Sequence, residues 1–90
     1  MFRKLYWVVE EKADVGYRVS GVYTSVPDLV DHGLVLADVR LSLVPLDKRD
    51  GHIGVYPSTS ALAGDVERLV EERHLREEEG RMLSEALSKL

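Results

Sequence analysis

Apolar residues alternate with the rest from Lys4 to Lys12, with Leu5, Trp7 and Val9 on one side and Tyr6, Val8 and Glu10 on the other. A period of two marks a strand, and aromatic and β-branched side chains suit its pleated surface. Tyr17 to Thr24 continues the pattern, with Tyr17, Val19, Gly21 and Tyr23 set against Arg18, Ser20, Val22 and Thr24. The intervening Ala13 to Gly16 contains the turn formers Asp14 and Gly16, so the spacing predicts a hairpin.

The period then changes. Ser25-Val26-Pro27-Asp28 reads as a helix start. Ser25 can cap, Pro27 lies in the first turn where its missing donor is harmless, and Asp28 holds the reciprocal capping position. Gly33 stops this helix two turns later. Val39 to Leu46 predicts a third strand with Val39, Leu41 and Leu43 inward. Asp47 to Gly51 is a second turn, and Ile53 to Tyr56 a fourth strand ended by Pro57. Ser58 to Ser60 offers several caps for a last helix.

The two halves resemble each other. Gly21-Val22-Tyr23-Thr24-Ser25 recurs as Gly54-Val55-Tyr56-Pro57-Ser58, each just before a helix. Val8, Lys12, Asp14 and Gly16 correspond to Val44, Lys48, Asp50 and Gly51, and Leu29 to Leu62. Self-similarity of this kind constrains architecture more than propensity does. It predicts an α+β fold made of a duplicated ββα unit (ββαββα). The four-stranded, mainly antiparallel sheet would carry one short helix and one long C-terminal helix. The expected single domain holds one repeat near residues 4–34, a second near 38–70 and a helical extension over 71–90.

From Ser60 to Leu90 the pattern is helical, and one helix of that length would run about 45 Å. Leu62, Val66 and Leu69 form one stripe, and Leu83, Leu87 and Leu90 another in the same heptad phase. Arg73, Arg76 and Gly80 lie between them, with Leu75 the nearest apolar residue. A sheet of short strands is only roughly 20 Å across, so such a helix would overhang it. Either Gly80 breaks the helix and Met82 to Leu90 folds back, or the leucine-rich end packs on another subunit. The second outcome is the expectation here, with Met82, Leu83, Leu87 and Leu90 as a homodimer interface.

Composition narrows the classes. Ninety residues support one core. With 44% hydrophobic and 31% charged residues the chain reads as globular and soluble. No Cys is present, which removes disulfides and thiolate chemistry. Asn and Gln are also missing, a depletion that accompanies charge-rich proteins of hot environments and points to a thermophilic source. No apolar run reaches the roughly 18 residues of a membrane span and no signal-peptide pattern opens the chain, so a cytoplasmic location is expected. A net charge of −4, with Arg and Lys scattered beside acids, disfavours a nucleic-acid surface.

Candidate chemistry is sparse. His32, His52 and His74 share no metal-binding spacing, and no metal or other cofactor is expected. The neighbouring carboxylates Glu10-Glu11 and Glu71-Glu72 point different ways, and no nucleophile motif joins a Ser to a His, so no catalytic residue is assigned. Helix starts expose backbone donors at a positive dipole end, which suits an anion. Tyr23, Ser25, Tyr56, Ser58, Thr59 and Ser60 are therefore the candidate ligand-binding residues, although ordinary capping uses the same residue types.

The hairpin Tyr6-Trp7-Val8-Val9-Glu10-Glu11 through Gly16-Tyr17, followed by Pro27-Asp28-Leu29, resembles the opening of HicB-type antitoxin domains. The likeness covers about a quarter of the chain. Leu34 to Leu46 reads as loop and strand where that family has a helix. The resemblance implies a toxin-neutralising or RNA-linked role. The residues themselves favour a small non-catalytic protein-interaction or regulatory domain that homodimerises through its C-terminal helix, with an anionic-ligand module as the alternative.

Overall fold

The computed structural model describes residues 5–34, 39–45 and 53–90. Strand β1 (Leu5–Lys12) and strand β2 (Tyr17–Tyr23) form the expected hairpin. Gly16 closes its turn at φ 73, a left-handed conformation that glycine adopts without strain. A single helical turn, α1 (Val26–Asp28), continues as a π-helical segment over Leu29–Gly33. Strands β3 (Val39–Pro45) and β4 (Gly54–Tyr56) follow. The predicted turn Asp47 to Gly51, and with it Lys48, Asp50 and His52, lies outside the described residues.

All three strand pairings are antiparallel, in the order β2-β1-β3-β4, so the chain is of the α+β class. β1 pairs with β3 through Trp7–Leu43, Val8–Ser42 and Val9–Leu41. Its alternation is the one the sequence predicts, with Leu5, Trp7 and Val9 buried. β2 departs from the expected faces. Val9 pairs with Gly21 but Glu10 with Val19, which leaves Ser20 as the extra residue of a β-bulge. The Ser20 hydroxyl donates to the Val9 carbonyl at 3.3 Å. Beyond the bulge the alternation changes phase, so Tyr17 and Val19 share the face of Val22 and not that of Gly21 and Tyr23.

The predicted long helix is three helices, α2 (Thr59–Ala63), α3 (Val66–Glu71) and α4 (Glu77–Ser88). The chain turns at residues 72–76, where Arg73 takes φ 63 and Leu75 is buried. A left-handed residue just after a helix is a common stop, normally supplied by glycine. Gly80, the alternative break point, sits inside α4. A Cβ there would lie 2.5 Å from Val70 Cγ2, so Gly80 lets α4 pack closely back on α3.

One hydrophobic cluster joins Leu5, Trp7, Val9, Leu41, Leu43 and Tyr56 of the sheet to Val26, Leu29, Leu62, Val66, Leu69, Leu83 and Leu87 of the helical segments. The helices therefore cover a single face of the sheet. Leu83 and Leu87, expected at a subunit interface, are interior residues of this chain, while Met82 and Leu90 remain exposed.

Candidate functional site

The two strand-to-helix junctions share their local construction. Ser25 Oγ accepts the Asp28 amide at 3.3 Å, and Ser58 Oγ accepts the Ala61 amide at 3.2 Å. Each satisfies a helix donor that would otherwise lack a partner. At both junctions a tyrosine ring folds back over the glycine two residues earlier in its strand, Tyr23 over Gly21 and Tyr56 over Gly54. A side chain at either glycine would collide with its ring. The Tyr23 ring also reaches Gly33 at the end of the π-helical segment.

These tyrosines and hydroxyls do not converge on one ligand. An open groove of about 530 Å³ lies beside the first junction, lined by Leu5, Trp7, Ser25, Val26, His74 and Glu78 among others. Of the six candidate ligand-binding residues only Ser25 lines it. Glu78 and Glu79 border it together with Arg76 and His74, so its charged lining is mixed.

The second junction carries a polar network that sequence reading missed. The Tyr56 hydroxyl donates to Asp65 Oδ2 at 2.6 Å. Arg68 grips the same carboxylate through Nε at 2.8 Å and Nη2 at 2.7 Å, and Nη1 donates to Glu72 at 3.1 Å. Glu72 in turn lies 3.5 Å from His74 Nε2. Burial, the Asp65 hydrogen bond and its negative charge push the Tyr56 phenol well above its ordinary value. The Arg68 hydrogen bond holds the Asp65 carboxyl below its ordinary value, with the Tyr56 bond acting in the same direction. The spacing Asp65, Arg68, Glu72 is legible as i, i+3 and i+4 pairing on a helix. Nothing in the sequence announces that Tyr56 joins it. The network ties β4 to α3. Among the described residues no group of three His, Asp or Glu could hold a metal ion.

The outer face of the sheet is built differently. Because β1 pairs with both neighbours, its outward residues stand in rows. Val22, Val8, Ser42 and Val55 form one row across all four strands, Tyr6 and Val44 a second, and Glu10 and Arg40 a third. Val19, Val22 and Val55 are 57%, 54% and 57% exposed. Glu10 and Arg40 pair with each other at 3.1 Å, and the Arg40 guanidinium lies 4.1 Å from the Tyr17 ring centre. Among the described residues Glu10 and Arg40 neutralise each other on this face and Lys12 adds one positive charge, although the chain carries −4 overall.

The chain matches no family model, and comparisons with curated proteins and with solved structures find no match. Among the described residues no helix is long and apolar enough to cross a membrane.

Proposed function

We propose that this chain is a small non-catalytic protein-interaction domain whose docking surface is the open face of its sheet. The observation that carries the reading is the exposure of Val19, Val22 and Val55 on a sheet whose other face is covered by the helices. An antiparallel sheet can leave one face to solvent, but that face is then normally polar. Here the exposed residues of the row through Val22, Val8 and Val55 are valines and Glu10 and Arg40 neutralise each other, which suits an uncharged protein surface better than phosphate or nucleic acid. Interaction through the C-terminal helix, expected from the leucine spacing, retains only Met82 and Leu90 as accessible apolar residues.

The two ββα halves are read as copies of one unit. Supporting this are the matched Gly-Val-Tyr geometry, the caps Ser25 and Ser58, the fully buried Leu29 and Leu62, and the central β1–β3 pair. The strand registers align Val8 with Ser42, two residues from the Val44 match that the sequence suggests.

A photo-crosslinking residue placed at Val22 or at Glu78, in the full chain and in its native cells, tests the docking surface. Protein adducts are expected from the Val22 position and not from the helix position. Adducts from Glu78 alone, or from neither, would overturn the assignment.

A further inference from the structure

We infer that the partner of this face is a second copy of the same chain, packed sheet on sheet in one register; this rests on the docking reading above. A twofold axis lying between two facing sheets, parallel to the strands and midway between β1 and β3, lays each strand over its mirror position in the order β2-β1-β3-β4. β3 of the copy then covers β1, and β4 of the copy covers β2.

Mirror pairs follow in three rows. Val22 faces Val55 of the copy and Val55 faces Val22, closing two half-exposed valines on one another at each end of the row. Val8 faces Ser42 of the copy twice over, a half-buried valine against a small serine that its own chain already buries. Tyr6 faces Val44. Glu10 faces Arg40 of the copy and Arg40 faces Glu10, so the one charged row is complementary to itself across the axis. An isologous interface must be self-complementary in this sense. A row with like charges at mirror positions would fail that condition. Two copies of an acidic chain can approach here because the acidic groups Glu71, Glu72, Glu77, Glu78 and Glu79 belong to the helical layer.

The size is small. Four strands about 4.8 Å apart make the Val22–Val55 row roughly 19 Å wide, but β4 is only the three residues Gly54–Tyr56, so away from that row the patch narrows to β2, β1 and β3. It falls below the roughly 800 Å² per partner of standard interfaces, so a weak, reversible dimer is expected. Aligned packing of two twisted sheets about 10 Å apart keeps the rows in register near the axis.

Sedimentation equilibrium of the full chain, from low micromolar to millimolar concentration, is the test. A reversible dimer is expected. Val22→Asp with Val55→Asp sets like charges against each other at both ends of the row and should weaken association at least 100-fold. Val22→Lys with Val55→Asp should restore most of it, because each Lys then faces an Asp of the other copy. Within one chain these positions are three strand spacings apart, roughly 14 Å, too far for an ion pair. Val22→Thr with Val55→Thr keeps the strand-forming shape and should weaken the dimer about tenfold, which covers the case of an Asp variant that does not fold. Circular dichroism identifies that case.

A monomer at millimolar concentration overturns the inference, as does a dimer indifferent to both Asp and Thr pairs. A dimer broken by the Asp pair but not restored by the Lys–Asp pair overturns the register. A monomer that still gives Val22-directed adducts with another protein overturns self-association alone. A monomer with no such adducts removes the docking reading as well.

Discussion

The two faces of the sheet use nearly the same residues for opposite ends. Val9 on the inner face is almost completely buried beneath helical leucines, while Val22 on the outer face is 54% exposed. Both are valines on adjacent strands, one residue out of step in register. What separates them is the placement of the helices. α2, α3 and α4 supply Leu62, Leu69, Leu83 and Leu87 to one side, and no described helix supplies such residues to the other. Hydrophobic alternation therefore identifies a strand with two faces, but which face is covered within the chain depends on connections and helix breaks.

The sharpest way to break this comparison is to empty the covered side. Leu83→Ala should lower unfolding free energy by about 2–5 kcal/mol, because Leu83 is fully buried in the chain's own core. Chemical denaturation at a concentration well below dimerisation measures this. A loss seen only where the chain associates would place Leu83 at an interface instead.

Next in size is Tyr56→Phe, which removes the 2.6 Å bond to Asp65 and should cost about 1.5–3 kcal/mol. Its pH signature separates the hydrogen bond from simple packing. Tyr56 is held above its ordinary value of 10.0, so its contribution is present below pH 10 and declines as pH rises above that value. Asp65 is held below its ordinary 3.8, so its contribution is present above that pH and is lost as pH falls further. Denaturation across both ranges should show these two declines, and Tyr56→Phe should remove the alkaline one contributed by this residue.

A smaller effect tests how the covering helices fit. Alanine is normally favoured over glycine in a helix by about 1 kcal/mol. At Gly80 its methyl would press on Val70, so Gly80→Ala should instead destabilise by about 1 kcal/mol. Val70→Ala in the same chain should turn that change neutral or stabilising, as a double-mutant cycle would record.

The smallest effect lies on the open face. Val22→Thr should leave folding stability within about 0.5 kcal/mol of the parent, since the side chain is already half in water. Thermal melts that show a loss above 2 kcal/mol would mean Val22 supports the fold itself.

Much of the inner face was legible from residues alone. The alternation Leu5, Trp7, Val9, the hairpin closed by Gly16, the inward Leu41 and Leu43 and the caps Ser25 and Ser58 all follow from local chemistry. The bulge at Ser20 was not, because strict alternation looks the same whether or not a partner strand skips a residue. The break at residues 72–76 was hidden for a related reason. Two helices that each turn a leucine stripe toward one core repeat the phase of a single long helix, and the left-handed position is filled by Arg73, which carries no stop signal. Gly80 drew attention as a breaker when its small size serves a helix contact. The Tyr56–Asp65–Arg68 network needed the fold to bring β4 beside α3. Of the candidate ligand residues, Ser25 and Ser58 cap their own helices at two separate junctions.

That copies of this chain meet one another through the open sheet face is tested most directly by amide NMR spectra of the purified chain across a dilution series from millimolar to low micromolar concentration. Concentration-dependent shifts should gather on Tyr6, Val8, Val22, Val44 and Val55, with the α4 amides unchanged. Shifts confined to Met82 and Leu90, or spectra identical at every concentration, would contradict it.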